Sequence, residues 1–255
     1  VVLTERARHA AELATAALHD GCELIVAVGG DGTMNEIAGV VAGTPATLGL
    51  IPCGSGDGLG RHLGLHGAPA RAFEILLHGR ARLIDSGLAD GHPFFTAAGV
   101  GFEAAIAQRF NQLKRRGFLR YLSTSIAAWR AWQPEELGVT HAGQRESFHA
   151  FTLAVTNADQ YGNNAHITPG AQVDDGLLDL CMVPPVSAWN ALPLTTHLFR
   201  GTIGRVKGIQ LRRSDRFVVE RAAAGLLHTD GEVHPAGARI EFSIRPASLR
   251  IMCPA

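Results

Sequence analysis

Two short apolar runs, each ending in a glycine-rich turn, constrain the fold of this 255-residue chain more than any other feature. Residues 24–28 (LIVAV) lead into the turn 29–33 (GGDGT), and residues 48–51 (LGLI) lead into the turn 52–58 (PCGSGDG). Continuous apolar runs of this kind are typical of central parallel strands that are covered on both faces. Because the residues after each turn have helical spacing, the alternation predicts an open α/β sheet.

The rest of the chain divides into a first part rich in helices and a second part that is mostly β. Helices are predicted from Glu5, with Thr4 as N-cap, to the stop at Asp20-Gly21, and over 33–41, 57–63, 70–78, 103–133 and 187–200. Strands dominate from residue 81 and are predicted over 82–88, 93–98, 148–156, 177–183, 216–220, 239–244 and 248–253.

This change of rhythm predicts two domains, an α/β domain in residues 1–80 and a β-rich domain in residues 81–246. Residues 247–255 contain a strand that could belong to either sheet, so they could also join the first domain. Residues 1–4 (VVLT) look like the tail of a strand that leads directly into a helix. We therefore expect the first strand of the sheet to be missing and the chain to be truncated.

Charge and cysteine content exclude several classes of protein. Lys plus Arg (23) balance Asp plus Glu (23), so the molecule as a whole is not drawn to nucleic acid, and any attraction to a membrane must be local. The four cysteines lack C-x-x-C spacing, which favours a reduced, cytoplasmic setting. No apolar run reaches the roughly 18 residues needed to span a bilayer. A homodimer is compatible with this composition.

The first turn, 29–33, is suited to an anion. Glycines between a strand and a helix let the backbone approach a phosphate, and the helix dipole favours negative charge. Asp31 would lie beside that anion, where a carboxylate makes chemical sense if it holds Mg²⁺ or handles a proton. The alternative is an ordinary strand-to-helix turn in which Asp31 caps the helix.

The second turn, 52–58, follows a buried strand and precedes a helix in the same way. The carboxyl ends of neighbouring parallel strands share one crevice, so both turns would contribute to a single nucleotide site. Ser55 would donate to a phosphate or a ribose. Two ordinary glycine turns remain the alternative.

Four motifs together carry a resemblance to a known family. The chain contains, in this order, VAVGGDGTMNEIAGVV, LGLIPCGSGDGLGRHLG, YGNNAHITPGAQVDDGLLDL and HTDGEVHP. These segments resemble the diacylglycerol kinase catalytic-domain family, which includes bacterial lipid kinases and sphingosine kinases. The resemblance implies an N-terminal nucleotide-binding domain like that of NAD kinases and phosphofructokinases, and a C-terminal β-rich sandwich that binds lipid. It also implies ATP, with Mg²⁺, in the cleft between them.

The resemblance assigns the nucleotide and metal contacts to the two turns and the helix after the first. The residues are Gly29, Gly30, Asp31, Gly32, Thr33, Asn35, Gly54, Ser55, Gly56 and Asp57. Asp57 departs from the family, which usually has Asn there. Its charge would weaken binding of a triphosphate unless Mg²⁺ or a cation such as Arg61 compensates. Arg61 and His62 are otherwise most simply surface residues of a short helix.

Asp230-Gly231-Glu232 looks like the family's catalytic Asp-Gly-Glu. Phosphoryl transfer needs a carboxylate that orients the attacking hydroxyl and accepts its proton, and we assign this role to Asp230. Glu232 would assist the metal or the nucleotide. The alternative is a plain Asp-Gly hairpin turn.

A second acidic segment, 174–179 (DDGLLD), resembles the region in which some bacterial members hold a structural Mg²⁺, with Asp175 as the matching carboxylate. Gln172 stands where we expect an acidic partner, so a cation would have one fewer charged ligand. A plain turn fits equally well. The family's Asn-Pro-x-Ser-Gly loop, expected near the front of the chain, is not found here.

The resemblance implies a kinase that phosphorylates a lipid hydroxyl at a membrane surface, with diacylglycerol ahead of sphingoid bases. Residues 112–122 place cations beside aromatic residues, followed by Trp129 and Trp132, and could dock on anionic headgroups. The alternative there is a solvated basic face with its aromatic residues in the core. Two other functions stay open: an NAD kinase, which shares the Gly-Gly-Asp-Gly turn, and a catalytically silent member, which the missing front and Asp57 favour.

Overall fold

The computed structural model describes residues 1–54, 56–111 and 128–255. The helices are α1 (His9–His19), α2 (Asp31–Val41), α3 (Gly58–His62), α4 (Pro69–His78), α5 (Phe102–Asn111) and α6 (Ala188–Phe199). The strands are β1 (Leu24–Gly29), β2 (Thr47–Pro52), β3 (Arg80–Ala89), β4 (His92–Phe94), β5 (Ala97–Gly101), β6 (Glu135–His141), β7 (Gln144–Ala150), β8 (Thr152–Thr156), β9 (Leu178–Val183), β10 (Gln210–Ser214), β11 (Arg216–Glu220), β12 (Gly225–Thr229), β13 (Glu232–Ala236) and β14 (Arg239–Cys253).

The first sheet begins with the parallel pair β1 and β2, whose order and direction the sequence predicts. It continues in the order β1-β2-β14-β11-β6-β7, with β3 paired to β14 and β4 paired to β3. The long strand β14 pairs with β2 in parallel at Arg250 and Ile251 and with β11 in antiparallel fashion nearer its start. The last strand therefore joins the α/β sheet, whereas the division into domains stays a prediction.

The second sheet is antiparallel, in the order β10-β9-β8-β5-β12-β13. Apolar side chains from both sheets meet in one core, in which Phe94, Phe217 and Phe242 pack with Leu153 and Leu180. An α/β part followed by a β sandwich confirms the predicted fold class. No helix within the described residues is long and apolar enough to cross a membrane.

The predicted start of the first helix is wrong. Residues 1–5 are irregular rather than the tail of a strand, and α1 begins at His9, not at Glu5. The cap comes from another helix, because the Glu36 carboxylate accepts the backbone N–H groups of Arg8 (2.9 Å) and Ala10 (3.0 Å). Thr4, the predicted N-cap, lies outside the helix.

Two predicted strands are each divided between the sheets. Residues 93–98 are split into β4 and β5, because the chain leaves the first sheet at Phe95 and Thr96. Residues 148–156 are split in the same way at Phe151 into the end of β7 and the whole of β8. The predicted strands also omitted β6, β10, β12 and β13, of which the last two were anticipated only by the alternative of an Asp-Gly hairpin. A left-handed turn at Ala142-Gly143 connects β6 to β7.

Candidate active site at the glycine turns and the Asp-Gly hairpin

The two glycine turns are in direct contact. The N–H of Cys53 donates to the carbonyl of Gly29 (2.8 Å). A Cβ at Gly54 would lie 2.7 Å from the Cα of Gly30, which is closer than van der Waals contact allows. Glycine at this position therefore lets the ends of β1 and β2 form one continuous surface, as the sequence predicts.

Asp31, the first residue of α2, links these turns with its carboxylate. One oxygen accepts the N–H of Asp57 (3.0 Å) and the other accepts the N–H of Gly58 (3.1 Å). Asp31 thus caps the start of α3, and no side chain caps α2. Each carboxylate oxygen keeps a second lone pair, so Asp31 can still bind hydrated Mg²⁺.

The first turn of α2 fits a phosphate group. Its first backbone hydrogen bond within the helix runs from Met34 N–H to Gly30 C=O (3.1 Å). The N–H groups of Gly32 and Thr33 precede this bond, so they have no acceptor within the helix and lie at the positive end of its dipole. Asn35 has a buried Oδ1 that lacks a hydrogen-bond partner. Donors at the helix start and a nearby unpaired acceptor are compatible with a nucleotide.

Asp57 is turned away from this surface. Its side chain is 7% exposed and lies 3.0 Å from Nδ1 of His66. Burial raises the pKa of the Asp57 carboxyl, the hydrogen bond to His66 opposes that shift, and the charge of Asp31 adds to it. The geometry does not favour direct contact between this carboxylate and a nucleotide. We therefore do not expect the charge of Asp57 to weaken triphosphate binding through such a contact.

Arg61 and His62 are structural rather than simple surface residues. Arg61 donates to the carbonyl of Gly56 (3.0 Å), and His62 lies 2.7 Å from Asp159. Asp159 also contacts His166 at 2.7 Å. Burial acts to raise the pKa of Asp159, but these two histidine hydrogen bonds outweigh it and hold the pKa below its ordinary value.

The loop 160–166 completes the second turn from the β-rich half of the chain. The N–H of Asn163 donates to the carbonyl of Gly56 (3.1 Å). Gly162 has a φ of +111°, and a Cβ there would lie 2.6 Å from that same carbonyl oxygen. The glycine of the YGNNAH motif thus allows the backbone of this loop to lie close to the backbone of Gly56. Ser55, the predicted donor of this turn, lies outside the described residues.

Asp230 lies in the hairpin turn between β12 and β13. Asp230 and Gly231 both have left-handed backbone angles, with φ values of 50° and 86°. The Asp230 carboxylate accepts three backbone N–H groups, from Phe95 (2.7 Å), Thr96 (2.9 Å) and Ala97 (2.9 Å). The sequence offers a hairpin turn and a carboxylate positioned for catalysis as alternatives. The structure has the hairpin and also holds the carboxylate in one fixed position.

The environment of Asp230 shifts its acidity. Burial raises the pKa of Asp230 to about 6, against the opposing effect of the three N–H donors. A carboxyl group with a pKa near the working pH is suited to exchange a proton with a substrate. Glu232, at the start of β13, is exposed.

A short series of contacts connects Asp31 to Asp230. Asp31 bonds to Gly58, and a Cβ on Gly58 would lie 2.9 Å from the side-chain methyl group of Thr96. Thr96 in turn donates its N–H to Asp230. The structure thus brings the predicted metal and phosphate half of the site next to the predicted proton-accepting half, although they are about two hundred residues apart in the chain.

A buried polar cluster behind Asp230 has no counterpart in the sequence predictions. Tyr161 donates its hydroxyl to Glu103, and Nε2 of His228 lies 3.4 Å from Glu103. His228 is 6% exposed and lies two residues before Asp230 on β12, where its charge acts to lower the pKa of Asp230. Gly99 is required here, because a Cβ would collide with the Glu103 carboxylate. Single residues on separate elements leave no motif that could have predicted this cluster.

The Asp175 segment does not fit a metal ion. The Asp175 carboxylate accepts the N–H of Leu177 (3.0 Å) and lies 3.3 Å from Arg213. Arg213 also donates to Asp179 (3.1 Å) and to the carbonyl of Gly170 (3.2 Å). Its guanidinium supplies the positive charge that the resemblance would assign to Mg²⁺. Across the described parts of the chain, no group of three or more His, Cys, Asp or Glu side chains is arranged to hold a metal.

Residues 112–122, which could dock on anionic headgroups, lie outside the described residues. The two tryptophans that follow are partly buried. Trp129 donates its indole N–H to Val186 (3.0 Å), and Trp132 donates to Phe151 (2.9 Å). These contacts agree with the alternative in which the tryptophans pack into the core.

Comparisons with known proteins identify the family of this chain. Residues 1–89 match the diacylglycerol kinase catalytic domain, and residues 96–253 match the YegS C-terminal NAD kinase beta sandwich-like domain. A diacylglycerol kinase from Mycobacterium tuberculosis is 30% identical over 97% of this chain and 82% of its own length. A probable lipid kinase YegS-like protein from Pseudomonas fluorescens is 32% identical over 100% of this chain and 85% of its own.

Solved structures show the same fold. A putative diacylglycerol kinase from Bacillus anthracis superposes with a TM-score of 0.79 at 20% identity, over 98% of this chain and 82% of that one. An NAD kinase from Archaeoglobus fulgidus, determined in complex with ATP, superposes with a TM-score of 0.53 at 13% identity, over 98% and 90%. Together, the two domain matches and the relatives show that this chain belongs to the family of diacylglycerol kinases and YegS-like lipid kinases.

Proposed function

We propose that the chain is an ATP-dependent lipid kinase that transfers the γ-phosphate of Mg-ATP to a lipid hydroxyl, with diacylglycerol as the first candidate and a sphingoid base as the second. The observation that carries this proposal is the connection from Asp31 through Gly58 and Thr96 to Asp230. It brings a phosphate-binding turn beside a carboxylate of raised pKa. Kinases need both features at one place.

The residues of the chain divide the chemistry between them. The N–H groups at the start of α2 would hold the nucleotide phosphates, and Asp31 would hold Mg²⁺ through water. Bound Mg²⁺ supplies charge neutralisation on the phosphates. Asp230 would accept the proton of the lipid hydroxyl as that oxygen forms its bond to the γ-phosphorus and the bond from phosphorus to the ADP oxygen breaks. Glu232, which is exposed beside Asp230, would assist the metal or the nucleotide.

The remaining functional assignments rest on the same proposal. An enzyme with a lipid acceptor must meet its substrate at a membrane, so we place the protein in the cytoplasm with peripheral contact at the inner face. No partner nucleic acid is expected, because the charges balance. A homodimer is compatible with the proposal and is not required by it.

The proposal is tested by incubating the protein with γ-labelled ATP and a panel of acceptors: diacylglycerol, sphingosine and NAD. We expect the label in diacylglycerol, or otherwise in sphingosine. Label that appears only in NADP would replace the proposal with an NAD kinase. ATP binding without transfer to any member of a broad lipid panel would instead support a catalytically silent protein.

A further inference from the structure

Helix α6 carries an apolar face that the rest of the described molecule does not cover. Trp189 is 93% exposed, Leu192 75% and Phe199 52%. At about 100° per residue, these side chains lie on the face opposite Leu194 and Leu198. The latter two pack inward against a core cluster on the second sheet. The helix therefore has two apolar faces, one that packs against the core and one that faces solvent.

Hydrogen bonds at the start of α6 hold the helix that carries this exposed face. Ser187 and Asn190 form a reciprocal capping box at the helix start, where each side chain accepts the other's backbone N–H. Just before the cap, the carbonyl of Val186 accepts the indole N–H of Trp129 (3.0 Å). The capping box and the hydrogen bond to Val186 thus fix the first turn of α6. Trp189 projects from this turn into solvent.

The surrounding sequence is positively charged. Residues 180–214 contain no Asp or Glu but five cations, in a chain whose charges balance overall: Arg200, Arg205, Lys207, Arg212 and Arg213. Arg212 and Arg213 form ion pairs with Glu146 and Asp179. The other three are exposed and form no ion pair with any described residue. Three exposed cations without an ion pair to any described residue thus lie at the end of the helix and in the segment that directly follows it.

This combination of charge and apolar surface suits a bilayer better than a second copy of the chain. A two-fold interface would bring identical surfaces together, so the unpaired cations would meet like charge. Three apolar side chains also supply less area than a standard protein interface needs. An anionic lipid surface attracts the cations and accepts Trp, Leu and Phe at its boundary with the acyl chains.

We infer that α6, with Trp189, Leu192 and Phe199 as its inserted face and Arg200, Arg205 and Lys207 as its charged flank, docks the protein on an anionic membrane. This inference rests on the proposed function, because it identifies the surface from which the lipid acceptor is taken. The inner residues of α6 pack in the same cluster as Phe102 and Tyr161. Tyr161 bonds to Glu103 in the polar cluster behind Asp230, so a continuous series of contacts links α6 to the candidate site.

Vesicle sedimentation tests this surface without any catalytic readout. The protein is mixed with phosphatidylcholine vesicles that either contain or lack phosphatidylglycerol, with no diacylglycerol and no ATP. We expect binding to the anionic vesicles, lost at high salt, and at least about tenfold weaker binding for Trp189→Ser/Leu192→Ser. Arg205→Glu/Lys207→Glu should weaken binding by at least about 25-fold, because each of the two cations near an anionic surface contributes roughly fivefold.

A matched control removes exposed apolar side chains from another helix. Phe73 and Leu77 on α4 are 55% and 73% exposed, so Phe73→Ser/Leu77→Ser changes the surface to a comparable degree. We expect this variant to bind like the wild type. Equal loss in both pairs, no loss in the α6 pair, or equal binding to vesicles without phosphatidylglycerol would overturn the inference. So would concentration-dependent self-association that only the α6 pair abolishes, since a second copy would then occupy the face.

The kinase reaction separates this inference from the proposed function. With diacylglycerol dispersed in neutral detergent, the α6 variants should phosphorylate at the wild-type rate, whereas with anionic vesicles they should be slower. A protein that binds vesicles through α6 but transfers no phosphate would contradict the proposed function alone. A kinase that acts on vesicles equally well with and without the α6 face would contradict the docking surface alone.

Discussion

The Asp-Gly turns at 230–231 and 175–176 differ in the partners of their carboxylates. Asp230 is held by three backbone N–H groups, and burial raises its pKa to about 6. Asp175 lies 3.3 Å from the guanidinium of Arg213 and bonds to the N–H of its own turn. Backbone donors fix a carboxylate in place without forming an ion pair with it, whereas an arginine neutralises it. Only the first arrangement leaves a carboxylate available for proton transfer.

The difference between the two aspartates predicts that only Asp230 is important for turnover. Asp230→Asn should lower kcat by about 10²- to 10⁴-fold, because it removes the proton acceptor. ATP binding should persist, since Asp230 does not contact the glycine turns directly. Asp175→Asn is the matched control and should retain most of the activity. Steady-state kinetics of both variants, with ATP affinity measured by calorimetry, decide the point. Equal losses would contradict our assignment.

The second largest effect is expected from separating the two glycine turns, 29–33 and 52–58. Gly54→Ala forces a Cβ to within 2.7 Å of the Gly30 backbone, so the turns must separate. We expect a loss of about 1–3 kcal/mol in the free energy of unfolding and a clear loss of ATP affinity. Gly39→Ala in α2 is the control, because its Cβ would meet nothing closer than 3.9 Å. Urea unfolding of both variants measures the difference, and similar stability would show that the contact is unimportant.

The pH dependence sharpens the description of Asp230. Its pKa is raised from 3.8 to about 6, so between these values the native state binds a proton that the unfolded chain has released. The contribution of this group to stability is thus present below the lower value and is lost as the pH rises through about 6. Turnover should change in the opposite sense and fall as the pH drops below about 6, because the acceptor becomes protonated.

Two profiles check this prediction. One is kcat against pH for the wild type. The other is the free energy of unfolding against pH for the wild type and for Asp230→Asn. Between pH 4 and 6 the variant should lack the decrease in stability with rising pH that Asp230 contributes. A wild-type kcat that stays constant down to pH 5 would contradict the raised pKa.

The smallest effect is expected at Arg213. Arg213→Ala should reduce the free energy of unfolding by about 1 kcal/mol or less, because solvent screens this partly exposed arginine. Mg²⁺ without nucleotide should not change the Tm of the wild type, since the guanidinium already lies against Asp175 and Asp179. Thermal unfolding with Mg²⁺ and with EDTA measures both. A Mg²⁺-dependent increase in the wild-type Tm that Asp175→Asn abolishes would show that a metal does bind there.

Local sequence patterns predicted much of the fold. The runs that form β1 and β2, and the glycine turns after them, follow from apolar continuity and backbone freedom alone. Contacts between distant segments set the features that were not predicted. The chain leaves the first sheet between β4 and β5 at residues whose N–H groups bond to Asp230, and α1 begins where Glu36 accepts its first N–H groups.

The candidate site shows the same limit. The motifs singled out Asp31 and Asp230, but they could not show that Asp31 caps α3 or that Asp57 turns toward His66. Nor could they show that Arg213, 38 positions beyond Asp175 in the chain, forms an ion pair with it. Such pairings depend on the folded arrangement of separate elements, which no local pattern encodes.

A double-mutant cycle tests most directly whether Asp31 and Asp230 belong to one site. The kcat for phosphoryl transfer from ATP to a lipid acceptor is measured for the wild type, Asp31→Asn, Asp230→Asn and the double variant. Residues that act as a unit give strongly non-additive losses. We therefore predict that the double variant is about as slow as Asp230→Asn alone. A double variant whose loss equals the product of the two single losses would contradict a shared site.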